Sequence, residues 1–310
     1  MAINGVLRIG LVQIRVLDLE KTLEHYTKRV GLMEVGRTSD GRVLLKGYDE
    51  FDHHSVTLRK ADSAGLDFVA FKADNEATVN RVVAETKAKY PSWKIEEIAA
   101  KSDQPGFGRR FSFAASTGHS IHLYSEVEMA KETPQIVNPH IWVEEPKGMA
   151  PRGLDHCLLY GNNAGETIQW FREVVGFAMA ECVYKPDGSI LVAWLTGSNK
   201  AHDVAILDYN LPGKLHHVGF NLEDWNAIGH AADIIGRYGI SLDIGPTRHG
   251  ITRGQTIYFF DPSGNRNETF AGGYSYSPDQ PLRHWDADHV GEGIFYYDKV
   301  LNDRFLSVVS

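Results

Sequence analysis

The chain has 310 residues, 43% of them hydrophobic and 23% charged, the make-up of an ordinary globular protein long enough for about two domains. A net charge of −8 argues against a nucleic-acid partner. No apolar run is long enough to span a membrane, and the opening MAINGVLRIG lacks the basic segment and long apolar core of a signal peptide. Two isolated cysteines, Cys157 and Cys182, fit a reducing cytoplasm and exclude an iron–sulfur cluster or a cysteine-rich zinc site.

In chain order, HYTKRVGLMEVGR (His25–Arg37) predicts the end of an amphipathic helix, stopped at Gly31, and then a strand. HSVTL (His54–Leu58) and LDFVAFK (Leu66–Lys72) read as strands, and GRRFSFAASTGHSIHLYSE (Gly108–Glu126) as strand, glycine turn, strand. Pro134, Pro139, Pro146 and Pro151 mark a linker. The same signals then return. WFREVVGFAMAEC (Trp170–Cys182) stops a helix at Gly176, HDVAI (His202–Ile206) and LHHVGFN (Leu215–Asn221) are strands, and GQTIYFFDPSGNRNETFAG (Gly254–Gly272) is a hairpin. This repetition predicts an α+β protein of four βαβββ modules, paired into two similar barrel-like domains. The expected divisions are an N-terminal domain over 1–133, a linker over 134–152, a second domain over 153–272 and a tail over 273–310. The tail carries Trp285, Phe295, Tyr296, Tyr297 and Phe305, too aromatic for disorder, and is expected to pack on the second domain.

The hairpin around His249–Glu268 concentrates the chemistry. Ile257–Phe260 reads as a buried strand, and Asp261-Pro262-Ser263-Gly264 has the residues of a type I turn. Glu268 shares a strand face with Phe270, and a carboxylate on an apolar face is expensive unless a cation neutralises it. His156 in the strand Leu154–Tyr160 and His217 in Leu215–Leu222 complete a set of two imidazoles and one carboxylate. Such a facial triad leaves adjacent positions open on a six-coordinate ion, as in non-heme Fe(II) oxygenases. Zinc is the competitor, since His₂Glu also serves hydrolases, but the HExxH helix is absent. Aligned by the repeats, the first half offers Gln13 opposite His156, Phe68 opposite His217, His122 opposite Glu268 and Ser112 opposite Tyr258, so the metal set belongs to the second half alone. Cys157 and His216 alternate away from their ligand neighbours and read as core or supporting residues. His202, His249 and Tyr258 lie in the same strands and loops. Taken singly, they also fit a scaffold histidine like His54, an exposed loop residue and a core aromatic.

Five segments together carry a resemblance: LDHCLLYG (Leu154–Gly161), KAHDVAI (Lys200–Ile206), LHHVGF (Leu215–Phe220), IGPTRHGIT (Ile244–Thr252) and TIYFFDPSGNRNE (Thr256–Glu268). Through them the chain resembles, over essentially its whole length, the catechol 2,3-dioxygenases, type I extradiol enzymes of the vicinal oxygen chelate superfamily. The resemblance implies a glyoxalase-like fold and extradiol cleavage of catechol or substituted catechols by O2 to 2-hydroxymuconic semialdehydes. It implies Fe(II) held by His156, His217 and Glu268, with Mn(II) second. It further implies His202 as acid–base group, His249 as hydrogen-bond partner of bound oxygen species, and Tyr258 as contact to a substrate hydroxyl. Trp194, Leu207, Thr252 and Phe305 match pocket-wall positions. The partners implied are a catechol-type substrate and O2, and the assembly a cytoplasmic homotetramer. A zinc or nickel isomerase of glyoxalase type, and a non-catalytic aromatic-binding protein, are the competing readings.

Overall fold

A computed structural model describes residues 4–142 and 144–310. Its first module is β1 (Val6–Val16), α1 (Leu19–Glu24) continuing as a π-helical turn (His25–Val30), β2 (Met33–Arg37), β3 (Val43–Lys46) and β4 (Val56–Lys60). The second is β5 (Gly65–Ala73), α2 (Glu76–Lys89), β6 (Ile95–Ile98), β7 (Arg110–Ala114) and β8 (Ser120–Tyr124). The third is β9 (Gly153–Gly161), α3 (Ala164–Trp170) with its own π turn (Phe171–Val175), β10 (Ala178–Tyr184), β11 (Ile190–Thr196) and β12 (Val204–Asp208). The fourth is β13 (Lys214–Asn221), α4 (Trp225–Tyr238), β14 (Leu242–Arg248), β15 (Gly254–Phe260) and β16 (Arg266–Gly272). The tail adds β17 (Arg283–Asp286), a 3₁₀ turn (Ala287–His289), α5 (Val290–Ile294) and α6 (Asp303–Ser307).

Local chemistry accounts for the element ends. Asp18, Asn75 and Asp224 cap α1, α2 and α4 by accepting a backbone N–H three residues on, which satisfies a donor the helix cannot use. Both π turns end at a glycine in the left-handed region, Gly31 at φ 100° and Gly176 at φ 90°, where a side chain would be strained.

The modules pair into two sheets. One runs β2-β3-β4-β1-β5-β8-β7-β6 and the other β10-β11-β12-β9-β13-β16-β15-β14, with β17 added parallel to β10 at the outer edge. The orders are identical module for module. One face of each sheet meets the other half, and a single core joins them, from Val12 and Ile14 on β1 to Cys157 and Leu159 on β9. The halves also interlock through polar bonds. Trp170 Nε1 donates to Thr86 Oγ1 at 2.8 Å, and Asn267 Nδ2 donates to Tyr26 Oη at 2.9 Å. The opposite faces hold separate clusters, Leu11, Phe68, Ala70, Phe107 and Tyr124 in the first sheet and a set around Tyr160, Trp194 and Leu207 in the second.

The ladders correct one alignment made from sequence. Gly219 pairs with His156 and Ala70 pairs with Leu11, while Val204 pairs with Cys157 and Val56 pairs with Val12. The counterpart of His156 is therefore Leu11, not Gln13. A two-residue shift keeps every side chain on the same face of a strand, so hydropathy alternation cannot detect it. The ladders do set His122 at the place of Glu268 and Ser112 at the place of Tyr258.

No regular element occupies 134–152 among the described residues, yet the segment is pinned at its end, where buried Met149 donates its N–H to Arg29 O at 2.9 Å. No helix of the described residues is long and apolar enough to cross a membrane.

Candidate metal centre

Three central strands of the second sheet bring His156 (β9), His217 (β13) and Glu268 (β16) together, all buried. His156 Nε2 lies 2.8 Å from Glu268 Oε2 and 3.2 Å from His217 Nε2, and His217 Nε2 lies 3.1 Å from Glu268 Oε2. For metal–donor bonds of about 2.1 Å, neighbouring donors of an octahedron stand about 3.0 Å apart and those of a tetrahedron about 3.4 Å. The triangle fits one octahedral face.

The far nitrogens determine which ring atom faces that triangle. His156 Nδ1 donates to Asp155 Oδ2 at 2.7 Å, because a carboxylate accepts, and its Nε2 lone pair is left for a cation. Asp155 is held in turn by Lys200 Nζ, 3.5 Å from Oδ1. Burial opposes charge on His156, but Glu268 and Asp155 overcome it and push its pKa up to about 9. A proton on Nε2 thus stands where a metal would. Burial outweighs the pull of Glu268 at His217, whose pKa falls to about 4. Glu268 is held well below the carboxylate range; burial would raise it, and His156 and His217 prevail. A buried charge without compensation costs several kcal/mol; here the proton on His156 compensates Glu268, at the place a metal ion could take.

Gly219 makes the packing feasible. A Cβ there would sit 2.5 Å from His156 Cε1, so only a glycine lets the imidazole lie across β13. His216 corrects another expectation. A bulge between Leu215 and His217 breaks the alternation, and His216 Nδ1 meets His217 Nδ1 at 2.7 Å instead of pointing away. Cys157 does alternate into the shared core.

The residues lining the small cavity beside the triangle include His202, His249 and Tyr258. The His202 ring lies 4.1 Å from that of His156, and burial and the charge of His156 hold its pKa well below the usual value. His249 Nδ1 donates to Ile294 O, which leaves Nε2 to accept from Tyr258 Oη at 2.9 Å. Burial and Glu268 push the Tyr258 phenol well above its usual pKa. The remaining wall is largely apolar: Leu158, Trp194, Ile251, Phe270, Ile294 and Phe305, with Thr252. Leu207 is not part of it. It pairs with Tyr160, two residues along β9 from Leu158, one pleat repeat or about 7 Å beyond the wall, and packs in one cluster with Trp194 and Ile251.

Several of these residues escaped the sequence reading. Leu158 was within reach, since it follows His156 by two on the same strand. Ile294 comes from the tail, and no spacing connects it to the cavity. Glu181 on β10 also went unseen. Its buried carboxylate accepts the Thr252 N–H at 3.2 Å and secures the loop in which Thr252 and Arg253 adopt φ of 58° and 59°.

Known proteins match this chain in both halves. Residues 153–269 match the family model of the Glyoxalase/Bleomycin resistance protein/Dioxygenase superfamily, and 66–128 match the catechol 2,3-dioxygenase-like N-terminal domain. Metapyrocatechase of Pseudomonas sp. (strain CF600) is 47% identical, with 99% of each chain covered. The manganese-dependent 2,3-dihydroxybiphenyl 1,2-dioxygenase of Geobacillus genomosp. 3 is 29% identical over 94% of each. Among solved structures, the 2,3-dioxygenase LapB from Pseudomonas sp. KL28 superimposes with a TM-score of 0.88 at 44% identity, covering 93% of this chain and 99% of that one. Homoprotocatechuate 2,3-dioxygenase from Arthrobacter globiformis shares the fold, with a TM-score of 0.86 at 23% identity, covering 100% of this chain and 94% of that one.

Proposed function

The chain belongs to the catechol 2,3-dioxygenases of the vicinal oxygen chelate superfamily, and from that premise we propose that His156, His217 and Glu268 hold Fe(II) and that the adjoining cavity performs O2-dependent meta cleavage of catechols. The observation that carries the reading is the triangle of donor atoms with edges of 2.8, 3.1 and 3.2 Å. A cavity walled mostly by Leu158, Trp194, Ile251, Phe270, Ile294 and Phe305 adjoins it. When bound, a divalent ion of this kind polarises a chelated hydroxyl and connects substrate electronically with O2.

The chain's own groups supply binding and proton management. The aromatic and aliphatic wall takes the ring and excludes water. His202, kept neutral by burial, accepts a hydroxyl proton and can return it. Tyr258, kept protonated, can turn its one proton from His249 Nε2 to a substrate oxygen. A proton reaching His249 Nε2 would make that ring a donor to negative charge developing in the cavity. Trp194, Thr252 and Phe305 limit which ring substituents fit.

In this reading 1–133 is a structural domain without a metal set, 134–152 the linker, 153–272 the catalytic domain, and 273–310 a tail that closes the cavity with Ile294 and Phe305. The exposed Ile136, Val137 and Ile141 suit a subunit contact in a homotetramer, and the free buried thiols of Cys157 and Cys182 suit the cytoplasm.

Anaerobic metal analysis with a catechol and O2-uptake assay tests the activity: one iron per chain and a yellow ring-fission product are expected, and iron without product would sink the reading. The manganese alternative is favoured by the likeness to the manganese-dependent dioxygenase of Geobacillus genomosp. 3. Reconstituting metal-free protein with Fe(II) or Mn(II) in parallel separates the two, with turnover restored by iron expected.

A further inference from the structure

Resting on the reading that His217 ligates the metal, we infer that His216 is a positioning residue which, with the C-terminal segment, sets the ring tautomer of His217. Phe305 O can only accept, so the 2.7 Å contact from His216 Nε2 places that ring's proton on Nε2. The neutral ring then presents Nδ1 as an acceptor. His217 Nδ1, 2.7 Å away, must donate to it, and the His217 Nε2 lone pair is free to face the triangle. The direction of each bond follows from the one before, starting at a backbone carbonyl in α6.

The surroundings keep this chain of bonds in place. The bulge at His216 turns its ring toward His217. Tyr160 stacks on it at 5.1 Å between ring centroids and an interplanar angle of 23°, and Phe305 meets it edge-on at 4.6 Å. The end of the chain is tied to the same strand. Leu215 N–H donates to Ser310 O at 2.8 Å, and Ser310 N–H returns a bond to Leu215 O at 3.0 Å. Buried Arg266 spans both, donating to His216 O at 3.3 Å and Val308 O at 2.7 Å. Residues 305–310 therefore act on the ligand set through the Phe305 carbonyl without contributing a donor to the triangle, as partners of ligating histidines do elsewhere.

Three substitutions separate the two bonds. Asn at 216 puts an acceptor oxygen where Nδ1 stands and preserves the bond from His217. Gln places its terminal amide nearer Nε2 and preserves only the tie to Phe305 O. Leu loses both. Each variant is stripped of metal and titrated anaerobically with Fe(II). His216→Asn should bind within about threefold of the parent, and His216→Gln and His216→Leu about 10–100-fold more weakly. Equal affinity in all variants, or equal loss in Asn and Gln, would overturn the inference, and the Asn–Gln contrast decides even if the Leu variant does not fold. His217→Ala titrated alongside keeps the two ideas apart: undiminished Fe(II) binding there would refute the metal site itself, not merely the part given to His216.

Discussion

The two sheets of this protein have the same strand order, yet among the described residues only the second carries a set of metal-ligand side chains, and the ladder positions show why. Where the second half has His156, His217 and Glu268, the first has Leu11, Phe68 and His122. Leu11 and Phe68 belong to an apolar cluster, and the Phe68 ring stacks on His122 at 4.0 Å with planes 7° apart. The remaining histidine is thus paired with an aromatic instead of a carboxylate. Burial and nearby Arg110 lower its pKa to about 3, whereas His156, facing two carboxylates, is pushed up to about 9. The same scaffold yields an apolar filling or a cation site according to three side chains, because the strands supply positions and the substituents supply charge.

The comparison can be pushed hardest by transplanting the first half into the second. His217→Phe, which copies Phe68, should reduce both metal content and ring cleavage to background; stoichiometric iron in that variant would remove His217 from the ligand set. Next in size is His202→Phe. Its ring neighbours His156 without joining the triangle, so iron should be retained while kcat falls about 10²–10⁴-fold, and an unchanged kcat would exclude an acid–base role.

Gly219→Ala is a sharper contrast, because the first half already has alanine, Ala70, at that ladder position opposite Leu11. In the second half the new Cβ would meet His156 at 2.5 Å. Metal affinity should drop about 10–100-fold, and calorimetric titration showing no change would mean the imidazole has room elsewhere. The last contrast is with pH, where each single unit carries a modest change. Below pH about 9 the metal-free site keeps a proton on His156, and a metal must expel it. His217, lowered to about 4, has no proton to give up near neutrality. Affinity should therefore rise with pH by about tenfold per unit and level off above about 9. A flat profile between pH 6 and 8 would show that His156 is already neutral.

Much of this was legible beforehand because the information is local or periodic. The repeat of Gly31 and Gly176, the hairpin turn at Asp261-Pro262-Ser263-Gly264 and the face shared by Glu268 and Phe270 all follow from backbone preference and the two-residue period of a strand. What escaped was set by register and by distant packing. Gln13 and Leu11 occupy the same face, so only the hydrogen-bond ladder distinguishes them. His216 required knowledge of a bulge, and Leu207 required knowing how far along its strand the cavity extends.

The sequence by itself determined the modules, their order and the residue types able to hold a cation, since turn chemistry, helix caps and alternation act over a few residues. Tertiary structure alone decided that three donors from β9, β13 and β16 meet within a triangle of about 3 Å edges. It also decided that Glu181 braces the loop and that the last residues of the chain reach back to His216. Those contacts join residues tens to more than a hundred positions apart, and no local preference encodes a distance between strands until the sheet has formed.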